Sequence, residues 1–132
     1  MLFGRRRFVH RFTCQLLFLL EEGVPFLMAM ELVALQYPRR GYYSITILDV
    51  RHRVREEESF SQALSYYMVF DRDYRRTIAW ADGSSAKLLI ALRLLSNNLT
   101  QRKNSPLFPA YSNRYTYLED CLTENKNVPL RN

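Results

Sequence analysis

Two cysteines, two histidines, four glycines and five prolines in 132 residues exclude several common designs at once. Cys14 and Cys121 are too few for a disulfide framework and stand at no metal-ligand spacing, so Cys14 is expected to pack as a small apolar residue on a helix. His10 and His52 lie far apart, each flanked by basic residues, which predicts surface histidines rather than a catalytic pair. Scarce glycine and proline argue against low complexity and against an all-β fold with its many turns. No apolar run approaches the roughly 20 residues that a membrane-spanning helix requires. The basic start followed by Leu16–Leu20 has the outline of an export signal, but the run ends at Glu21-Glu22 with no small-residue cleavage site. A chain with no spanning segment, cytoplasmic in location, is the expectation.

Chemistry-bearing motifs are also missing. There is no P-loop, no His-Glu-x-x-His, no Gly-x-Ser-x-Gly and no Cys/His cluster. Glu56-Glu57-Glu58 has no coordination spacing and reads as a solvated helix end. The expectation is a protein that is not an enzyme and carries no cofactor and no metal.

What the chain does have is hydrophobic content of 48%, enough for one domain of ordinary size with its own core. The net charge of +6 is compatible with an acidic protein, a headgroup layer or nucleic acid. Arg5, Arg6, Arg7 and Arg11 gather at the first helix, either as a solvated start or as a contact for anionic lipid or an acidic partner.

Helical periodicity organises the first hundred residues. Phe8, Phe12, Leu16, Leu19 and Leu20 mark one face of a helix over 6–22, with residues 1–4 frayed. Gly23 closes it in the left-handed conformation, and Pro25 fits the first turn of the next helix, 25–37, making a helical hairpin. Leu27, Met30, Val33 and Ala34 form that helix's inner face, with Met28 and Met30 filling core gaps. Tyr37-Pro38 ends it.

Residues 42–57 are strand-like in propensity, yet Ile45, Leu48 and Val54 are read as on or near one helical face and no turn signal interrupts Asp49–Glu58, so a third helix is predicted. Ser59 and Gln62 stand at capping-box spacing before a helix reaching about Tyr67. Asp71 caps a fifth helix, 72–81, with Tyr74, Ile78 and Ala81 inward and Arg72, Arg75 and Arg76 outward. Trp80 is available to the core or to a partner surface. The break at 82–85 starts a sixth helix to about 99, lined by Leu88, Ala91, Leu92, Leu95 and Leu99. The fold class is therefore all-α, an antiparallel bundle of about six short helices. Residues 100–132, with scattered Pro, Asn and Ser, are expected to form an irregular, weakly structured tail in which 115–122 makes a turn or two of helix.

Three segments in order resemble the F-type domain of type II secretion and type IV pilus assembly platforms. The first is Phe12, Gln15, Leu16, Leu19, Leu20, Gly23, Pro25 and Ala29, similar to that family's F-x-x-Q-L-x-x-L-L-x-x-G-x-P-x-x-x-A. The second, Glu57 to Leu64, is similar to G-x-S-L-S-x-A-L, with Ser59, Ala63 and Leu64 in register and Phe70 following. The third, Ala81 to Leu88, is similar to G-E-x-S-G-x-L with one residue inserted, and includes Asp82 and Leu88.

The resemblance covers about residues 8–99, so 1–99 would be one F-type helical domain. Glu57 stands where the family has glycine, Asp71 where it has proline and Asp82 where it has glutamate. The family's continuation into a transmembrane segment and a second repeat is not found in these 132 residues.

The resemblance implies an assembly scaffold, peripheral to the inner membrane on its cytoplasmic side. Its partners would be a secretion or pilus assembly ATPase and other platform proteins, with a second copy of the chain as a further candidate. The candidate partner surface is Arg72, Arg75 and Arg76. The alternative is a small basic helical nucleic-acid-binding protein. No recognition helix-turn-helix is evident and 13 acidic residues are interspersed, so nucleic acid is not the expected partner.

Overall fold

The helix boundaries follow from capping chemistry. A computed structural model of the protein describes the backbone of residues 2–102 and the side chains of residues 4–98. The tail predicted over 103–132, including the helical turn at 115–122, lies outside the described residues. The elements are α1 (Leu2–Glu21), α2 (Phe26–Ala34), α3 (Tyr42–Arg55), α4 (Phe60–Leu64), α5 (Arg72–Ala81) and α6 (Ser85–Arg102). Among the described residues there is no strand, and 42–55 is helical against its strand propensity.

α1 and α3 end in the same way. At the end of α1, Gly23 adopts φ 88°, and the N–H groups of Gly23 and Val24 reach back to the carbonyls of Leu20 (3.1 Å) and Leu19 (3.0 Å). At the end of α3, Glu57 adopts φ 73°, and the N–H groups of Glu57 and Glu58 reach the carbonyls of Val54 and Arg53, each at 3.0 Å. Both are Schellman closures, which satisfy terminal carbonyls but require a left-handed residue. Glycine adopts that conformation freely and glutamate does not. The extension of α3 expected to residue 57 fails for this reason.

Starts are equally explicit. The Ser59 hydroxyl accepts from the Gln62 N–H (3.2 Å), Asp71 Oδ1 from the Tyr74 N–H (2.9 Å) and the Ser84 hydroxyl from the Lys87 N–H (3.2 Å). Each satisfies an N–H that the first helical turn leaves without an intrahelical partner. Several boundaries depart from the sequence reading. α1 begins at Leu2 rather than after a frayed 1–4. Pro25 sits at the N-cap of α2 and not in its first turn. α2 and α4 stop three residues earlier than expected, in tight turns where Tyr37 N–H meets the Ala34 carbonyl and Tyr67 N–H meets that of Leu64. α6 continues through residues 100–102, past the expected end at 99.

Each helix packs on the next in sequence, and α6 returns to α1 to close the ring. α1 and α6 are antiparallel, since Cys14 pairs with Ser96 (3.5 Å) while Glu21 pairs with Arg93 (2.7 Å). α1 is the centre of the core: Phe8 to Leu17 are buried throughout except Arg11. Aromatic rings tie it to its surroundings. Phe8 stacks on Tyr43 of α3 at 4.1 Å and packs with Phe70, which also meets Phe12 and Tyr74.

A helix enclosed on this many sides cannot keep one polar stripe. His10 is 0% exposed, which corrects the expectation of a surface histidine; its basic neighbours Arg7 and Arg11 only mark where the flank turns outward. His52 is exposed as expected. Cys14 is buried, as its small apolar character requires. Two other side-chain assignments fail. Met28 is 53% exposed and fills no core gap, whereas Met30 does. Ile45 and Leu48 point outward, at 55% and 42% exposed, and α3 buries Ser44, Thr46, Ile47 and Val50 instead. The buried Thr46 hydroxyl makes this tolerable by donating to the Tyr42 carbonyl one turn earlier (2.8 Å). The helix was anticipated here; its buried face was not.

Candidate partner-binding surface

Three loops meet at one end of the bundle: the α1–α2 turn, the α3–α4 turn and the α5–α6 turn. Between them lies a groove of about 370 Å³, floored by Phe26, Leu27, Val54, Phe60 and Leu88. Phe26 and Phe60 close its base edge to face at 4.9 Å. The rim is polar, formed by Glu58, Ser59, Asp82 and Ser84.

The rim is held by side-chain bonds between segments distant in sequence. The Asp82 carboxylate accepts from the Ser61 backbone N–H (3.3 Å) and, through its other oxygen, from the Ser61 hydroxyl. Glu58 is engaged by Arg53 (3.4 Å), which also bonds Asp49 (3.0 Å) and lies 3.6 Å over the Tyr66 ring. The hydrogen bond to Asp49 is the main reason the Arg53 guanidinium holds its proton more tightly than usual. Gly83, at φ 83°, turns the chain between Asp82 and the Ser84 cap.

The motif residues divide between this end and the interior. Ser59, Asp82 and Leu88 line the groove, and Pro25 precedes Phe26 there. Gly23 shapes the adjoining turn. Gln15, Leu16, Ala29, Ala63 and Leu64 are core residues. Gln15 is completely buried and accepts a hydrogen bond from the Tyr37 hydroxyl (3.2 Å), which satisfies part of an otherwise costly buried amide.

Arg72, Arg75 and Arg76 do fall together, on the α5 side of a second groove of about 420 Å³ whose α4 side is Ser61, Gln62 and Ser65. Arg72 and Arg76 are exposed, and Arg75 is half-buried with its Nε donating to the Phe70 carbonyl (3.1 Å). The α4 contribution was not foreseen, because Ser59–Ser65 read in sequence only as a capped helix start. Nor did the sequence indicate that Ser61 would reach Asp82.

Inside the bundle, the Thr13 hydroxyl bonds the Tyr74 hydroxyl (2.7 Å) and the Val9 carbonyl (2.6 Å). Burial pushes the Tyr74 phenol well above its ordinary value, and the bond to Thr13 only partly opposes this. Tyr74 is therefore a neutral packing and bonding group at neutral pH. Among the described residues, no group of three His, Cys, Asp or Glu is arranged to hold a metal ion, and no helix is long and apolar enough to cross a membrane. No protein-family model matches the chain, and no curated protein matches it.

Proposed function

We propose that this chain is a non-enzymatic domain of an assembly platform, of the type II secretion or type IV pilus kind, working through protein contacts. The observation that carries the reading is convergence. Segments around residues 25, 59 and 82, chosen from sequence for their resemblance to one family, border a single groove with an apolar floor and a bonded polar rim. An apolar centre with a polar rim is the anatomy of a protein-recognition patch. Its partners in this reading are the assembly ATPase and other platform proteins at the cytoplasmic face of the inner membrane, with a second copy as a further partner. Arg72, Arg75 and Arg76, on the second groove between α4 and α5, provide a charged part of the partner surface.

The test is co-purification of the domain with a secretion or pilus assembly ATPase from the same genome, alongside a DNA-binding titration. Capture of the ATPase, weakened by Phe60→Asp at the groove floor in a variant that keeps its helical circular dichroism, is the expected result. Tight, salt-sensitive DNA binding with no affinity for any assembly protein would overturn the reading in favour of a small basic nucleic-acid binder.

A further inference from the structure

The bundle's ion pairs are unevenly distributed. Arg51 is paired with Glu31 (3.1 Å), Arg53 with Asp49 and Glu58, and Arg93 with Glu21. Among the described residues no carboxylate lies within ion-pair distance of Arg72, Arg75 or Arg76. These three cations share one turn of α5, at positions i, i+3 and i+4, and so project to one side. Positive charge is thus concentrated where the surface is concave.

The donor inventory of that groove is specific. The Ser65 hydroxyl is spent on the Gln62 carbonyl (2.6 Å), and the Ser61 hydroxyl on Asp82. The serines are therefore wall. What remains to donate is the side-chain amide of Gln62, the guanidinium groups of Arg72 and Arg76, and the outer nitrogens of Arg75, whose inner nitrogen is tethered to Phe70. Asp82 turns both carboxylate oxygens to Ser61; on α5 itself, Asp71 at the N-cap spends Oδ1 on the Tyr74 N–H, and Asp73 is the acid of the first turn.

We propose that this groove docks an acidic segment of a protein partner, seating its Asp or Glu carboxylates between Arg72, Arg76 and Gln62. Guanidinium forks match carboxylates in a planar, two-bond geometry, and the span from residue 72 to 76 is about 6 Å along the helix, enough for one or two of them. A membrane surface is the poorer fit. Headgroup-binding helices present a row of large apolar side chains for insertion, whereas the described lining of this groove has Ala79 alone and α5 exposes a single large apolar side chain beside it, Trp80. The assignment rests on reading this face as the partner surface and names the chemistry it selects.

The experiment is fluorescence anisotropy with a labelled peptide of alternating Glu and Gly, its Gln counterpart, and vesicles with and without phosphatidylglycerol. Saturable binding of the Glu peptide alone is expected. Arg72→Gln with Arg76→Gln should weaken it about tenfold and flatten its salt dependence, and Arg76→Gln alone should give a smaller loss in the same direction. Arg39→Gln with Arg55→Gln removes the same charge from exposed positions elsewhere and should change binding by no more than about twofold. Equal losses in the two pairs, no binding of the Glu peptide, or binding confined to anionic vesicles would each overturn the proposal. Failure of the platform reading looks different: peptide binding through these arginines would persist while the assembly ATPase is not captured.

Discussion

Asp82 and Ser61, which belong to two different motif segments, are joined by a pair of hydrogen bonds from the serine N–H and hydroxyl to the two carboxylate oxygens. This link crosses from the start of α4 to the end of α5 and fixes the rim of the three-loop groove. Removing either partner should loosen that end without unfolding the bundle, because both lie outside the core. In a double-mutant cycle of Ser61→Ala and Asp82→Asn, followed by urea denaturation, we expect a coupling of about 1 kcal/mol. Strict additivity would show that the two side chains do not act together in solution.

Glu57 offers a test of backbone strain. It closes α3 at φ 73°, where the resembling family carries glycine, and its role matches that of Gly23. Glu57→Gly should raise stability by about 1 kcal/mol by relieving the left-handed penalty, despite glycine's greater freedom when unfolded. Gly83→Ala should act in the opposite sense by about 1 kcal/mol; nothing lies within 4 Å of its added Cβ, so the cost is conformational. A destabilised Glu57→Gly protein would sink the strain argument.

Ser59→Ala should cost about 1 kcal/mol, because it removes the acceptor for the Gln62 N–H at the start of a five-residue helix. Ser59→Asp, which keeps an acceptor, should restore most of the loss. Overlaid denaturation curves for wild type and Ser59→Ala would mean that water replaces the cap at no cost.

Alkaline stability should depend on Tyr74. Its folded-state pKa is raised by burial, so the unfolded chain releases the phenolic proton first as pH increases. Below the unfolded value of 10.0 the protein is unaffected, and above it stability declines with pH. Tyr74→Phe should cost about 1 kcal/mol at neutral pH through loss of the bond to Thr13, yet flatten the decline above about pH 10. Urea midpoints measured for both proteins across that range check the sign; parallel declines would assign the effect to Tyr43, whose phenol burial also raises.

The sequence was most informative where local chemistry decides. Gly23, Ser59, Asp71 and the 82–85 break all mark real helix ends, and the lack of a turn signal after Asp49 favoured a helix for α3, in which Val54 faces away from Ile45. It was least informative about which way a helix faces. α1 is enclosed by several neighbours, so His10 is buried despite its basic flanks, and α3 turns Ser44 and Thr46 inward because its phase is set by packing on α2 and α4. The arginines of α5 were legible as a shared face, but their opposing wall on α4 was not. Lateral placement of one helix against another leaves no periodic trace.

The return of α6 to α1 has a consequence for the chain during synthesis. α1 is the most enclosed element and precedes the other described helices, yet the flank carrying Cys14 packs against the last of them. Until Ser96 and its neighbours have left the ribosome, that flank stays open, and an apolar surface exposed in a growing chain invites chaperone capture or aggregation. Nascent chains halted at Ala81 should therefore be trapped by a holdase chaperone, and those extended past Arg102 should escape it.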